Sequence, residues 1–228
     1  MGAKVSAITF DVYSAIFDLH TSLVPQVDRC LKEVRSSVSP VEFFRNWRET
    51  QLRYAQISTN LCKEHFKFID LTRYSLSYAC RKFEVNLDDN ARLKLVDAWS
   101  HLEPYSDVEP VLNHLKDAGF RIAMLSNGDM DMLQTLSSRL SVKFDAIYSA
   151  DTVAVYKPHP KIYHQPVKAW NLQPPQIMHV AGSPTDAIGA KASNLTSVWV
   201  NRIGIMGEEL PFKPDYEIRT LTDLTTIL

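Results

Sequence analysis

The sequence predicts an α/β protein: a parallel-sheet core covered by helices on both faces and interrupted near its start by an all-helical insert. Three observations carry this. From Pro104 onward helical and strand patterns alternate, the rhythm of a parallel sheet. From about Ser22 to His101 no strand pattern occurs. Ahead of that helical stretch, one apolar run, Ile8-Thr9-Phe10, stands apart and ends on a carboxylate, Asp11. The predicted boundaries are 1–17 and 103–228 for the core and 18–102 for the insert.

Each element has its own signal. Ile8 to Phe10 is apolar and partly β-branched, and the residues after Asp11 include small ones that a tight turn accepts, so it reads as a buried strand delivering Asp11 at its C-terminal end. In the insert, Pro25 and Pro40 are placed to open helices at the first helical position. Phe43, Phe44, Trp47, Leu52, Tyr54 and Ile57 mark one amphipathic helix; Phe66, Phe68, Leu71, Tyr74, Leu76, Tyr78 and Phe83 mark another. Leu87-Asp88-Asp89-Asn90 is a helix start, with the helix running to about Leu102. Beyond it, Val108–Ala118 is helical and closed by Gly119, and Arg121–Leu125 is a strand ending at Ser126-Asn127-Gly128. Met130–Leu140 is helical, Ala146–Ser149 a strand, Pro160–Trp170 helical and Ile177–Val180 a strand ending before Gly182. Ala187–Ala192 is helical, Ser197–Val200 a strand, and Tyr216–Ile218 closes the series.

Composition narrows the function. With 228 residues and 45% hydrophobic content the chain can bury a real core. A formal net charge of −1, without a run of Lys or Arg, leaves no field to gather nucleic acid or an anionic membrane. Cys30, Cys62 and Cys80 are odd in number and lack CxxC spacing, so reduced thiols and a cytoplasmic protein are expected. No apolar segment approaches the roughly 20 residues that span a bilayer.

Parallel topology brings strand ends to one edge, where ligands of open α/β sheets bind. Collected there are Asp11, Ser126, Asn127, Lys157 and Asp186. This ordered set resembles the haloacid dehalogenase superfamily: an Asp nucleophile after the first strand, a Ser after the second, a central Lys and a late acid. The resemblance implies a Rossmann-like core and makes the helical insert a cap domain. Phosphatases of that superfamily carry a second Asp in the first motif and another in the fourth to hold Mg²⁺; here Tyr13 and Gly182 stand in those places. A hard dication needs several oxygen ligands, so no metal and no cofactor are expected.

The segment Phe10-Asp11-Val12-Tyr13-Ser14-Ala15-Ile16-Phe17-Asp18 is similar to the FDxYGTLFD pattern of the L-2-haloacid dehalogenase branch. Trp47 to Tyr54 resembles its cap segment, Leu125-Ser126-Asn127-Gly128 its second motif and Val155-Tyr156-Lys157-Pro158 its third. The resemblance implies Asp11 as nucleophile, Lys157 as its charge partner, Arg48 reaching in from the cap and Asp186 helping to activate water. It further implies Tyr13, Ser126, Asn127, Tyr163 and Ser183 around the substrate, with Glu49 in the place of a pocket Gln, and a homodimer built through the cap. Attack by a carboxylate on a small carboxylic acid brings two anions together, a repulsion of roughly 4 kcal/mol at about 4 Å and an effective dielectric of 20, which is why Lys157 and Arg48 are needed. Displacement of halide at C2 through an aspartyl ester is then the expected reaction. Hydrolytic opening of an aziridine- or azetidine-2-carboxylate by the same attack is the alternative, with a non-catalytic binding protein or a phosphatase as further ones. Outside the resemblance, Lys157 and Asp186 also read as a structural ion pair and Arg48 as a solvated helix face.

Overall fold

The computed structural model describes residues 4–61 and 65–228. Its backbone divides into two compact units, 1–17 with 104–228 and 18–103. The first strand, β1 (Ala7–Phe10), is wholly buried and lies inside the sheet. Two-residue strands, β2 (Phe17–Asp18) and β3 (Glu103–Pro104), sit where the chain leaves the core unit and re-enters it.

Between them lie α1 (Leu19–Glu33), α2 (Pro40–Leu61), α3 (Phe68–Lys82) and α4 (Asp89–Asp97). The start of α1 corrects the expectation for Pro25, which is inside the helix rather than at its first position. Asp18 caps that helix by accepting from the N–H groups of His20 and Thr21, and the buried stripe Leu19, Leu23, Val27 and Leu31 carries it past the proline. Pro40 does open α2. The apolar faces are also displaced from those expected: Ile57 and Tyr74 are exposed, while Thr50, Gln51, Ser58, Thr72 and Ser75 are buried. Those polar groups can be buried because they bond locally, Ser58 to the Ala55 carbonyl and Ser75 to the Leu71 carbonyl. Around them Trp47 donates to the Thr72 carbonyl at 2.9 Å and meets Trp99 edge-on, with ring centroids 5.6 Å apart. Cys30 and Cys80 are buried free thiols; Cys62 lies outside the described residues.

The core unit continues with α5 (Val108–Asp117), β4 (Arg121–Ser126), α6 (Met130–Ser138), β5 (Ala146–Ser149), α7 (Pro160–Trp170), β6 (Ile177–Ala181), α8 (Pro184–Ala192), β7 (Thr196–Val200) and β8 (Tyr216–Ile218). Gly119 follows α5 with φ +84°, a backbone that its missing Cβ permits. Helix α8 begins three residues earlier than expected, because Ser183 caps it and Pro184 fills the first helical position. Six strands form one parallel sheet in the order β5-β4-β1-β6-β7-β8. Strand β1 pairs on one side with β4, Phe10 opposite Met124, and on the other with β6, Phe10 opposite Val180. The C-terminal ends of these three strands are therefore adjacent, and it is there that the sheet order reverses. Among the described residues no helix is long and apolar enough to cross a membrane.

Candidate active site

Asp11 follows β1 directly, its N–H bonded to the Val180 carbonyl at 2.9 Å as though the ladder continued one residue further. Its carboxylate meets the Lys157 ammonium, Oδ1 to Nζ 3.1 Å, and the same Nζ lies 2.9 Å from Asp186 Oδ2. One buried cation thus bridges two buried carboxylates. The Lys157 backbone is placed from β4: its N–H donates to the Asn127 side-chain carbonyl at 2.8 Å, tying the third motif to the second. Ser126 is wholly buried and its Oγ accepts from the Gly128 N–H at 3.2 Å.

Asp186 sits in the first turn of α8, where the positive end of the helix dipole favours a carboxylate. Its side chain receives the Tyr163 hydroxyl at 2.8 Å on Oδ1 and His179 Nε2 at 3.2 and 3.1 Å on the two oxygens. Tyr163 is fully buried against Asp186, so what it touches is the acid. Ser183 accepts from the Asp186 N–H at 3.3 Å and caps α8. Tyr13 is 2% exposed, and its hydroxyl lies where a Cβ on Gly128 would fall. Gly182 is required by close approach: a Cβ there would stand 2.7 Å from both the Ala15 nitrogen and the Tyr13 carbonyl, and 2.9 Å from Asp11 Oδ2.

The charges differ between the two acids. Burial is the largest influence on Asp11 and raises its carboxyl above the ordinary carboxylate value; Lys157 opposes that and Asp186 adds to it. Lys157 on its own lowers this carboxyl, and burial outweighs it. At Asp186 burial is again the largest influence, but Lys157 and His179 together outweigh it and hold this carboxyl well below its usual value. The Tyr163 phenol is pushed far up, first by burial and then by Asp186, and stays a donor.

Arg48 and Glu49 belong to the helical unit. Arg48 is half-buried on α2, where its guanidinium donates to Gln51 Oε1 and lies 5.3 Å from the Trp99 ring. Glu49 is exposed.

The family model described as haloacid dehalogenase-like hydrolase matches residues 5–194. The chain belongs to this family. This haloacid dehalogenase-like hydrolase is 32% identical over 219 residues to an (S)-2-haloacid dehalogenase of Pseudomonas sp. (strain YL), covering 95% of this chain and 91% of that protein. Haloacetate dehalogenase H-2 of Moraxella sp. (strain B) is 29% identical over 227 residues, 99% of this chain and 98% of that one. A crystal structure of an L-2-haloacid dehalogenase, 26% identical and covering 99% of both chains, superposes with a TM-score of 0.93. A dehalogenase solved with an intermediate complex gives 0.87 at 28% identity, covering 100% of this chain and 99% of that chain. The resemblance to the L-2-haloacid dehalogenase branch and the Rossmann-like α/β fold both hold.

In this hydrolase sequence reasoning passed over His179, which it placed in a strand and gave no role. Its signal was present but indirect. Thr9 and His179 are the polar residues in two otherwise apolar runs, and they become partners only when β1 and β6 are set side by side.

Proposed function

We propose that this hydrolase displaces a halide from C2 of a small 2-substituted carboxylic acid, without a metal, and releases the 2-hydroxy acid. The observation that carries this is the buried chain Asp11–Lys157–Asp186 at the strand ends. An Asp11 carboxylate oxygen attacks C2, an ester bond forms, and halide leaves with the bonding electrons. Water then adds to the ester carbonyl and one of its protons passes by way of Asp186 to solvent; the bond from the carbonyl carbon to the substrate oxygen breaks, that oxygen takes the second water proton, and Asp11 returns as a carboxylate with an oxygen from water. Lys157 stabilises the ionised nucleophile, and Asn127 holds the Lys157 backbone in place. In this reading Arg48 supplies the cation for the substrate carboxylate, Ser126, Asn127 and Tyr13 shape the pocket, and Tyr163 holds Asp186.

Metal independence is supported by how the corner is filled. The Lys157 ammonium already supplies the positive charge that faces both carboxylates, 3.1 Å from Asp11 and 2.9 Å from Asp186. The backbone at Gly182 approaches Tyr13 and Ala15 too closely for a carboxylate-bearing residue. Among the described residues no three His, Cys, Asp or Glu side chains are grouped to hold a metal.

The test is halide release from 2-haloacids and haloacetate with and without exhaustive chelation, beside a strained cyclic amino acid and an aryl phosphate. Chelator-resistant halide release is expected, and a single turnover in heavy-oxygen water places the label in Asp11. Turnover of the cyclic amino acid alone, or a Mg²⁺ requirement with the phosphate, would overturn the reading.

A further inference from the structure

His179 is fully buried, yet both of its ring nitrogens are engaged. Nδ1 lies 2.9 Å from Thr9 Oγ1, its register partner across β1 and β6. Nε2 faces both Asp186 oxygens, at 3.1 and 3.2 Å, and lies 3.4 Å from Lys157 Nζ. These neighbours make opposite demands, since the carboxylate wants a proton on Nε2 and the ammonium a lone pair. Two nearer, negatively charged acceptors prevail over one more distant donor, so Nε2 carries the proton. Thr9 then donates to Nδ1, which fixes that tautomer. Tyr163 packs edge-on against the ring, centroids 5.6 Å apart, and prevents it from turning.

We propose that His179 is a positioning residue for hydrolysis of the ester on Asp11, acting through Asp186; this rests on the reaction proposed above. In the first half of the reaction the ionic chain Asp11–Lys157–Asp186 holds itself in place by charge. Ester formation removes the Asp11 charge, so Lys157 loses one of its two anchors. Asp186 must still be held in place while it takes the proton from water. The groups on Asp186 that make no hydrogen bond to Asp11 are His179 and Tyr163, and their bonds survive esterification. Removing the His179 donor therefore weakens the second step selectively.

The experiment is a single-turnover quench with 2-chloropropionate that follows halide release and, by intact mass, the ester on Asp11. His179→Phe keeps the ring volume and loses the donor; its ester hydrolysis is expected to slow at least about tenfold more than its halide release, because a carboxylate free to shift by an ångström costs up to about 10²-fold. The ester then accumulates. His179→Gln retains an N–H donor and is expected to recover most of the hydrolysis rate, which a loss of packing alone does not explain. Thr9→Val leaves the fold's shape and frees Nδ1; the same selective slowing is expected, and it decides the matter should the phenylalanine variant not fold. Equal slowing of both steps, or hydrolysis at the normal rate, would overturn the proposal. Absence of any halide release by the unmodified protein would instead sink the reaction. The ¹⁵N shifts of labelled histidine still test the geometry then, with an Nε2–H tautomer supporting it and a lone Nδ1–H tautomer excluding it.

Discussion

Two carboxylates share one ammonium, and their other neighbours set them apart. Asp186 has Lys157, His179 and Tyr163; its carboxyl is lowered, so its contribution to stability is present above the ordinary carboxylate range and is lost as pH falls toward the lowered value. Asp11 is raised by burial, so its contribution has the opposite sign: it is complete below the ordinary value of 3.8 and is lost as pH rises through the raised one. At neutral pH an ionised Asp11 therefore costs the fold stability that the nucleophile needs for function. Asp11→Asn should lower turnover by about a thousandfold or more while melting no lower than the parent protein at neutral pH. Asp186→Asn should melt lower at neutral pH, with the gap closing as pH falls below the ordinary carboxylate range. Thermal melts of both variants across pH check the pair. Because attack requires the ionised form, the acid limb of kcat/KM should lie above the 3.8 of an unperturbed Asp, as a pH–rate profile would show.

At the level of elements, the site depends on the turn between β6 and α8. Ser183 caps the helix, Pro184 starts it, and Gly182 lets the turn touch the segment after β1. Gly182→Ala should force that backbone apart, costing about 1–3 kcal/mol in stability and reducing activity through displacement of Asp11. A chemical denaturation curve and an activity assay on one preparation test both. The start of α8 shows where reading by pattern falls short: the apolar pattern begins only at Ala187, while the helix-start signal lies ahead of it in Ser183-Pro184-Thr185-Asp186. The strands were legible because a buried parallel strand is a short apolar run between breakers, and Arg121–Ser126 and Ile177–Ala181 fit that description. In the helical unit pattern alone misled at Ile57 and Tyr74. A stripe counted from apolar residues misses Thr72 and Ser75, which are buried by bonding to the carbonyls of Phe68 and Leu71.

At the scale of the molecule, one consequence of parallel topology was readable in advance. Residues after β1, after β4 and at the start of α8 converge because strand ends share an edge, and so Asp11, Asn127 and Asp186 gather around Lys157. His179 was not readable, because a buried strand accepts a core histidine as readily as a functional one; only the pairing of β1 with β6 sets it against Thr9 and toward Asp186. Assembly is the remaining matter at this scale. In α2 the apolar stripe that packs through Phe43, Phe44 and Trp47 continues toward the C-terminal end as Tyr54, Ile57 and Leu61, within about 60° of one another around the helix axis. There Ile57 and Leu61 are 47% and 56% exposed, so the stripe runs beyond the packing that covers its first half. A second copy of the chain offers the same apolar surface, the self-complementary arrangement of a two-fold dimer. Sedimentation equilibrium of the unmodified protein should therefore give a concentration-dependent mass approaching twice that of the chain. The double substitution Ile57→Glu and Leu61→Glu should shift it to the monomer without lowering the melting temperature of the monomer itself. A monomer mass at every concentration, or a dimer that withstands both charges, would remove α2 from any interface.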